Sequence, residues 1–280
     1  MRLHTILLVT ITIVLLPKFL PIARILPLPI GENVRKSYDV LKSLKAGDTL
    51  WIPVLPTQEY WSMYGGVFIG IFTMMLENGV NVVFTGSGPQ QVMDFNRLVA
   101  ATPLAVQLDS QGKGYGTRWI FLAFHPSGES ELYSLLSNLK IGLNDAVYNR
   151  PYSDYPIMTT LNDASDLKAM TGYTSDFRLW IRVYVDNYKG VFVPVYTEDF
   201  AVESMVWLGL GKLGGTVMGI NDAAAFEKLA DPGYPVYKPA LEVASTNNLI
   251  GMWFLACIVI ANIRFLDERR AARAEARVKT

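Results

Sequence analysis

The chain opens and closes on uninterrupted apolar runs, ILLVTITIVLL at 6–16 and LIGMWFLACIVIANI at 249–263, and the second is followed at once by RFLDERRAARAEARVKT. About 20 apolar residues make a helix long enough to cross a bilayer. The stretch 244–266 meets that length and is read as a C-terminal transmembrane helix. Near the N-terminus, MRLHT and the apolar run after it have the form of a signal-like segment. Pro17, Lys18, Pro21 and Arg24 then break the pattern with no small-x-small cleavage site. Residues 1–24 are therefore expected to be an uncleaved membrane anchor, and the Pro-rich 25–31 a stiff spacer.

Between the two runs the hydrophobic period switches repeatedly. Val34, Tyr38, Leu41 and Leu44 share one helical face in 32–45. TLWIPVL (49–55), NVVFTGS (81–87), TRWIFLAF (117–124), LKAMTGY (167–173) and GVFVPVY (190–196) read as strands. Helices are predicted over 60–76, 89–98, 129–140 and 175–189, the last capped by Ser175, and over most of 199–230, broken by a glycine cluster. The segment 141–165 reads as irregular. Strands that are near-continuous apolar runs, alternating with helices, indicate a buried parallel sheet. The fold class is α/β: a three-layer, mostly parallel, Rossmann-like sheet over 32–242, between N- and C-terminal transmembrane helices.

Charge then orients the chain. Residues 31–242 hold 16 Lys/Arg and 22 Asp/Glu, a net charge of about −6. An acidic domain with no basic stripe argues against nucleic acid as a partner. Six basic residues follow the C-terminal run, against Asp267, Glu268 and Glu275. By the positive-inside rule the tail 267–280 is cytoplasmic and the central domain extracytoplasmic, at the cell membrane. Cys257 is the sole cysteine and His125 the sole histidine after His4. Thiolate and imidazole metal sites are thereby excluded within one chain, and no cofactor or metal is expected.

In a parallel sheet, ligands bind at the carboxyl ends of the strands. Those loops supply Thr57, Ser87, Gly88, Ser127, Gly128, Thr174 and Thr197 as candidate ligand-binding residues, with Asp176 and Glu198 nearby. Free N–H groups after Ser87-Gly88 and Ser127-Gly128 can bind an anion. The ordinary alternative is that these residues simply cap helices. His125, at the end of a strand, is a candidate base for Ser127 or Ser87, although no GxSxG elbow is present. A lone loop histidine is more often a surface hydrogen-bonding residue. Gly209–Gly214 spells GxGxxG, but it follows a helix late in the domain and does not open one after a strand, so it is not read as a dinucleotide site. Gly211, Gly215 and Gly219 allow either a tight corner or a close helix contact. In the irregular segment, Tyr148, Tyr152 and Tyr155 surround Arg150 and can cover a pocket, a partner surface or a sheet edge.

Helix 60–76 passes from Glu59 to Glu77 without a charge. A helix on the outside of such a domain normally keeps a polar face. This one is either a third membrane span, or buried within the domain under 199–230, or covered by a neighbouring subunit. The third reading makes Gly65, Gly66, Val67, Phe68 and Gly70, together with Gly211 and Gly215, an expected interface.

The PLPI spacer, the GD-plus-strand start, the apolar helix followed by NG-VNVV, the sequence LGGTVMGINDAAAFEKL and the terminal anchor together resemble an uncharacterised group of prokaryotic membrane-anchored α/β proteins. The resemblance covers most of the chain and implies the architecture above; it transfers no activity and no catalytic residue. Three functions remain in view. One is a non-catalytic membrane-tethered module that assembles with its own copies or with another membrane protein. The second is an extracytoplasmic small-molecule or anion sensor that uses the strand-end crevice. The third is a membrane-bound hydrolase built on His125 and a nearby serine.

Overall fold

A computed structural model describes residues 9–12, 28–124, 128–231 and 238–278. The chain divides into two compact units, Leu28–Leu241 and the terminal segments 1–27 with 242–280. In the first unit the described residues form six strands: β1 (Thr49–Ile52), β2 (Asn81–Gly86), β3 (Trp119–Phe124), β4 (Ala169–Tyr173), β5 (Val191–Tyr196) and β6 (Val217–Met218). They pair in the order β3-β2-β1-β4-β5-β6, every pairing parallel. This order reverses direction between β1 and β4, as in doubly wound sheets.

The helices are α1 (Glu32–Lys42), α2 (Gln58–Glu77), α3 (Pro89–Ala101), α4 (Pro103–Ser110), α5 (Glu129–Ser137), α6, α7 (Ala201–Gly209), α8 (Gly219–Leu229) and α9 (Pro239–Val278). Helix α6 runs Phe177–Trp180, widens into a π-helical turn over Ile181–Val185, and ends with Asp186–Tyr188. Its cap is Asp176, whose carboxylate accepts from Leu179 N–H at 3.0 Å; the expected Ser175 lies one residue too early for that bond. The five expected strands are present. The glycine cluster holds a further two-residue strand, β6, and α4 starts at a Thr102-Pro103 step that suits a first helical turn.

Strand residues alternate between two cores. On one face Trp51 lies edge-on to Trp180 and Tyr184, at ring-centroid distances of 5.5 and 5.7 Å. Its indole N–H donates to Thr85 Oγ1 at 3.1 Å, so the buried ring leaves no donor unpaired. Leu132 and Leu136 of α5, with Tyr152, Tyr155 and Ile157 of the irregular segment, complete that layer.

On the other face α2 is the central helix, packed among α1, α3, α4, α8 and β2. Trp61 and every residue from Tyr64 to Leu76 are buried. This accounts for the missing polar face: α2 lies inside one domain, partly under α8. Val67 and Phe68 are 0% exposed, and Gly65, Gly66 and Gly70 face Trp61, Glu227 and Ala230 of the same chain. The apolar surface that called for a neighbouring subunit here is already covered from within. Gly211 occupies an exposed turn at φ +69°, and Gly215 packs against the backbone of α1 at Ser37 and Asn33. The glycine cluster is thus a packed corner.

Helix α9 starts earlier than the expected 244. Among the described residues, Pro239–Arg270 is the one helix long and apolar enough to cross a membrane, with a mean hydropathy of 2.1. Met252, Phe254, Leu255, Ile258 and Val259 are all more than half exposed, a surface suited to lipid. The expected N-terminal anchor lies outside the described residues except for helical 9–12.

Candidate functional site

All strands point the same way, so the loops after β1, β2, β4 and β5 gather at one edge of the sheet. Thr57, Ser87, Gly88, Gly128, Thr174 and Thr197 all belong to that edge, as the sequence pattern predicts. His125 and Ser127 lie outside the described residues.

The crevice between β1 and β4 is where a doubly wound sheet usually takes its ligand. Here several of the protein's own side chains crowd the strand ends. Tyr173 N–H donates to Val54 O at 2.9 Å, closing the two strand ends together. Leu55 is 1% exposed. Gln91, from the first turn of α3, grips its backbone twice: Leu55 N–H donates to Oε1 at 2.9 Å, and Nε2 donates to Leu55 O at 3.4 Å. Above this, Tyr173 stacks against Tyr60 at 4.9 Å and Tyr64 at 5.4 Å. Tyr64 donates to Tyr196 O at 2.9 Å.

Two of the threonine hydroxyls at this edge are engaged. Thr174 Oγ1 accepts from Trp180 Nε1 and from Asp176 N–H, both at 3.0 Å. Thr197 Oγ1 donates weakly to Asp199 Oδ2 at 3.4 Å. Glu198 packs on Gly219, where a Cβ would overlap its carboxylate. Asp222 accepts from Met218 N–H at 3.1 Å, tying off the start of α8. Burial pushes the Asp222 carboxyl up; the Met218 bond opposes this and the nearby Glu198 charge adds to it. Burial, then Glu198, raises the Tyr64 hydroxyl as well. Among the described residues the group is acidic and aromatic, and it shows no nucleophile paired with a base. No three His, Cys, Asp or Glu side chains converge as metal ligands among the described residues.

Several important polar residues had no sequence signal. Gln91 and Asp94 sit on the buried side of α3, 7% and 2% exposed, where the pattern marked only a helix. Asp94 Oδ2 has no hydrogen-bond partner, and burial pushes this carboxyl up. Asp145 and Glu227, both 2% exposed, are structural acceptors inside the domain.

Two surfaces stand apart from the crevice. A cavity of about 390 Å³ is framed by Gly211–Gly214 and by Val185–Phe192 near the amino end of β5. The GxGxxG run therefore leads from α7 into β6, on the edge opposite to phosphate-binding loops. Lys212 there is paired with Asp186 at 2.5 Å.

The second surface is α7. Val202, Met205, Val206 and Leu210 are 80%, 61%, 56% and 61% exposed and share one helical face. Ser204 is the only buried residue of the helix, and a groove of about 360 Å³ runs beside it between Arg178 and Trp207. Arg178 Nε is bonded to Glu203 Oε1 at 3.1 Å along that groove. The sequence pattern marks 199–230 as mostly helical, broken by a glycine cluster, and does not show that this stripe faces outward. The signal was present, since Val202, Met205 and Val206 repeat at helical spacing beside a second possible apolar face. No family model, curated protein or solved structure matches the chain.

Proposed function

We propose that this protein is a membrane-tethered α/β module that serves as a structural subunit in a homo-oligomer or membrane complex. The observation that carries this is the apolar stripe on α7. Monomers rarely leave such a patch in water, and exposed patches commonly mark interaction sites. Helix α9 and its basic tail support a domain held outside the cytoplasm with the C-terminus inside.

Two measurements test this reading. In right-side-out vesicles, added protease is expected to digest the domain and to leave a tag at Thr280 intact; a protected domain would overturn the topology. In mild detergent, the native protein is expected to run as a complex larger than one chain. The double variant Val202→Glu/Val206→Glu should shift most of it to the size of a single chain while its domain unfolds at the native temperature. A native protein that is already monomeric, or a double variant whose complex is unchanged, defeats the assembly reading.

A further inference from the structure

We infer that Asp94 makes the contact between α3 and the end of β1 sensitive to pH. With its carboxyl protonated, α3 stays seated and Gln91 holds Leu55; with the carboxyl ionised, the first turn of α3 lifts and the end of β1 is uncovered. The inference stands apart from the assembly reading. Gln91 and Asp94 are three residues apart, so they share the buried face of α3 with Phe95 and Leu98. Asp94 is 2% exposed. Its Oδ2 is buried without a hydrogen-bond partner, and Oδ1 meets Gln90 Nε2 only at the limiting length of 3.5 Å. A carboxylate cut off from water and from donors is costly, whereas a neutral carboxyl in the same place costs far less.

The surrounding elements bring no cation to offset that cost. Those packed against α3 are α2, α4, β2 and β3. Their charged groups are Glu59 and Glu77 of α2 and Asp109 of α4, all exposed acids, and β2 and β3 carry none. Tyr60 and Tyr64 of α2 face Tyr173 at the crevice, and Tyr115, which meets Phe95, gives its hydroxyl to Asp145. The cation that acts on Asp94 is Arg97 of α3 itself. Its guanidinium lies over the Trp61 ring at 4.8 Å and forms no ion pair with Asp94 among the described residues. Burial therefore raises the Asp94 carboxyl against the smaller effects of Gln90 and Arg97.

The turn that carries these residues is lightly fastened. Gly88 precedes α3, no side chain caps the helix there, and a Cβ on Gly88 would meet open space. Gln91 ties the turn to the sheet through its two bonds to Leu55 and its close packing on Gly86. Proton linkage gives the sign. A seated value above the ordinary carboxylate value of about 3.9 means that seating is fully favoured below that ordinary value and weakens as pH rises through the seated one. Acid tightens this contact.

The test follows the Leu55 amide, which donates to Gln91 Oε1, by hydrogen exchange in the full-length protein in mild detergent. Protection, corrected for the intrinsic pH dependence of exchange, is expected to fall about tenfold from about pH 4 to about pH 7. Its midpoint should match the titration of the Asp94 side-chain carboxyl followed by carbon-13 NMR. The amides of β5 should keep their protection, which separates a local release from the global effect of other raised acids such as Asp222. Asp94→Asn should make Leu55 protection independent of pH, and Gln91→Ala should remove it at every pH. Protection of Leu55 that is flat in the native protein, a fall that persists in Asp94→Asn, or protection retained in Gln91→Ala overturns the inference. If Asp94→Asn does not fold, the native protein decides: midpoints for Leu55 and Asp94 more than about one pH unit apart overturn it.

Discussion

Replacing Asp145 with alanine is expected to cost the domain about 3–5 kcal/mol, by the loss of a buried hydrogen-bonded charge. For a domain of this size that is a fall of about 10 °C in the unfolding midpoint. Asp145 Oδ1 accepts from the Tyr115 hydroxyl at 2.7 Å and from the N–H groups of Val147 and Tyr148 at 2.9 and 2.7 Å. Oδ2 accepts from the Tyr155 hydroxyl and from Arg150 N–H, both at 2.8 Å. One carboxylate thus fixes the irregular 141–155 segment, which has no regular hydrogen-bond ladder of its own. Alanine leaves five donors without this acceptor. Asparagine keeps one carbonyl oxygen but turns a donor toward other donors, so Asp145→Asn should fall between wild type and alanine. Tyr155→Phe, which deletes a single bond, should cost about 1 kcal/mol. Thermal unfolding of the full-length protein in detergent, followed by tryptophan fluorescence, ranks the three; an Asp145→Ala midpoint within about 2 °C of native would refute the role.

The same residue sets an acid limb. Burial pushes the Asp145 carboxyl up, but the Tyr148 and Arg150 N–H bonds and the two tyrosine hydroxyls outweigh it and hold it below the usual carboxylate range. A depressed native value means that the stabilisation is complete above the unfolded carboxylate range, about pH 4, and is lost as pH falls through the native value. Asp145→Asn should flatten that part of the profile. Burial and the Asp145 hydrogen bond raise both Tyr115 and Tyr155. Their contribution is complete below the ordinary tyrosine value of about 10 and is lost as pH climbs toward the raised native values.

How much of this was legible in the sequence depended on whether a residue's role was periodic. β1, β2, β3, β4 and β5 are apolar runs because both faces of a parallel strand are covered, and that leaves a direct trace. Strand β6 is two residues long, too short for any period to register. The charge-free stretch of α2 was visible, but three environments produce the same absence of charge, and only the packing of α8 over it separates them. Thr57, Thr174 and Thr197 fall at the predicted edge because topology follows from the alternation of elements. Whether that edge is open depends on Gln91 meeting Leu55, residues 36 apart with no pattern linking them. Asp145 and Glu227 were invisible for the same reason. A buried acceptor is defined by the donors around it, and those donors come from backbone positions that any residue can supply.

Gly66→Ala is expected to destabilise the domain by about 2–3 kcal/mol, although alanine is the better helix former by about 1 kcal/mol. Gly66 lies in the middle of α2, where a Cβ would overlap the Glu227 carboxylate and come within 3.0 Å of Pro239 Cδ. That carboxylate is already engaged: Oε2 accepts from Leu241 N–H at 2.8 Å and Oε1 from Ala240 N–H at 3.3 Å. These N–H groups are in the first turn of α9, which no residue within that helix can satisfy. A negative charge at a helix start is favourable through the dipole as well. Beside it, the buried Lys238 pairs with Asp231. Glycine at 66 is therefore the space into which α8 inserts an acid to hold the start of α9. The cause can be separated from general overpacking by a double-mutant cycle. With Glu227→Ala in place, Gly66→Ala should cost much less, since the carboxylate it would strike is gone and only the Pro239 Cδ contact remains. Hydrogen exchange locates the damage: in Gly66→Ala the Ala240 and Leu241 amides should lose protection by more than tenfold, while those of β2 change only with global stability. Additive single and double variants, or a Leu241 amide that stays protected, would show that Glu227 does not hold α9 through the space at Gly66.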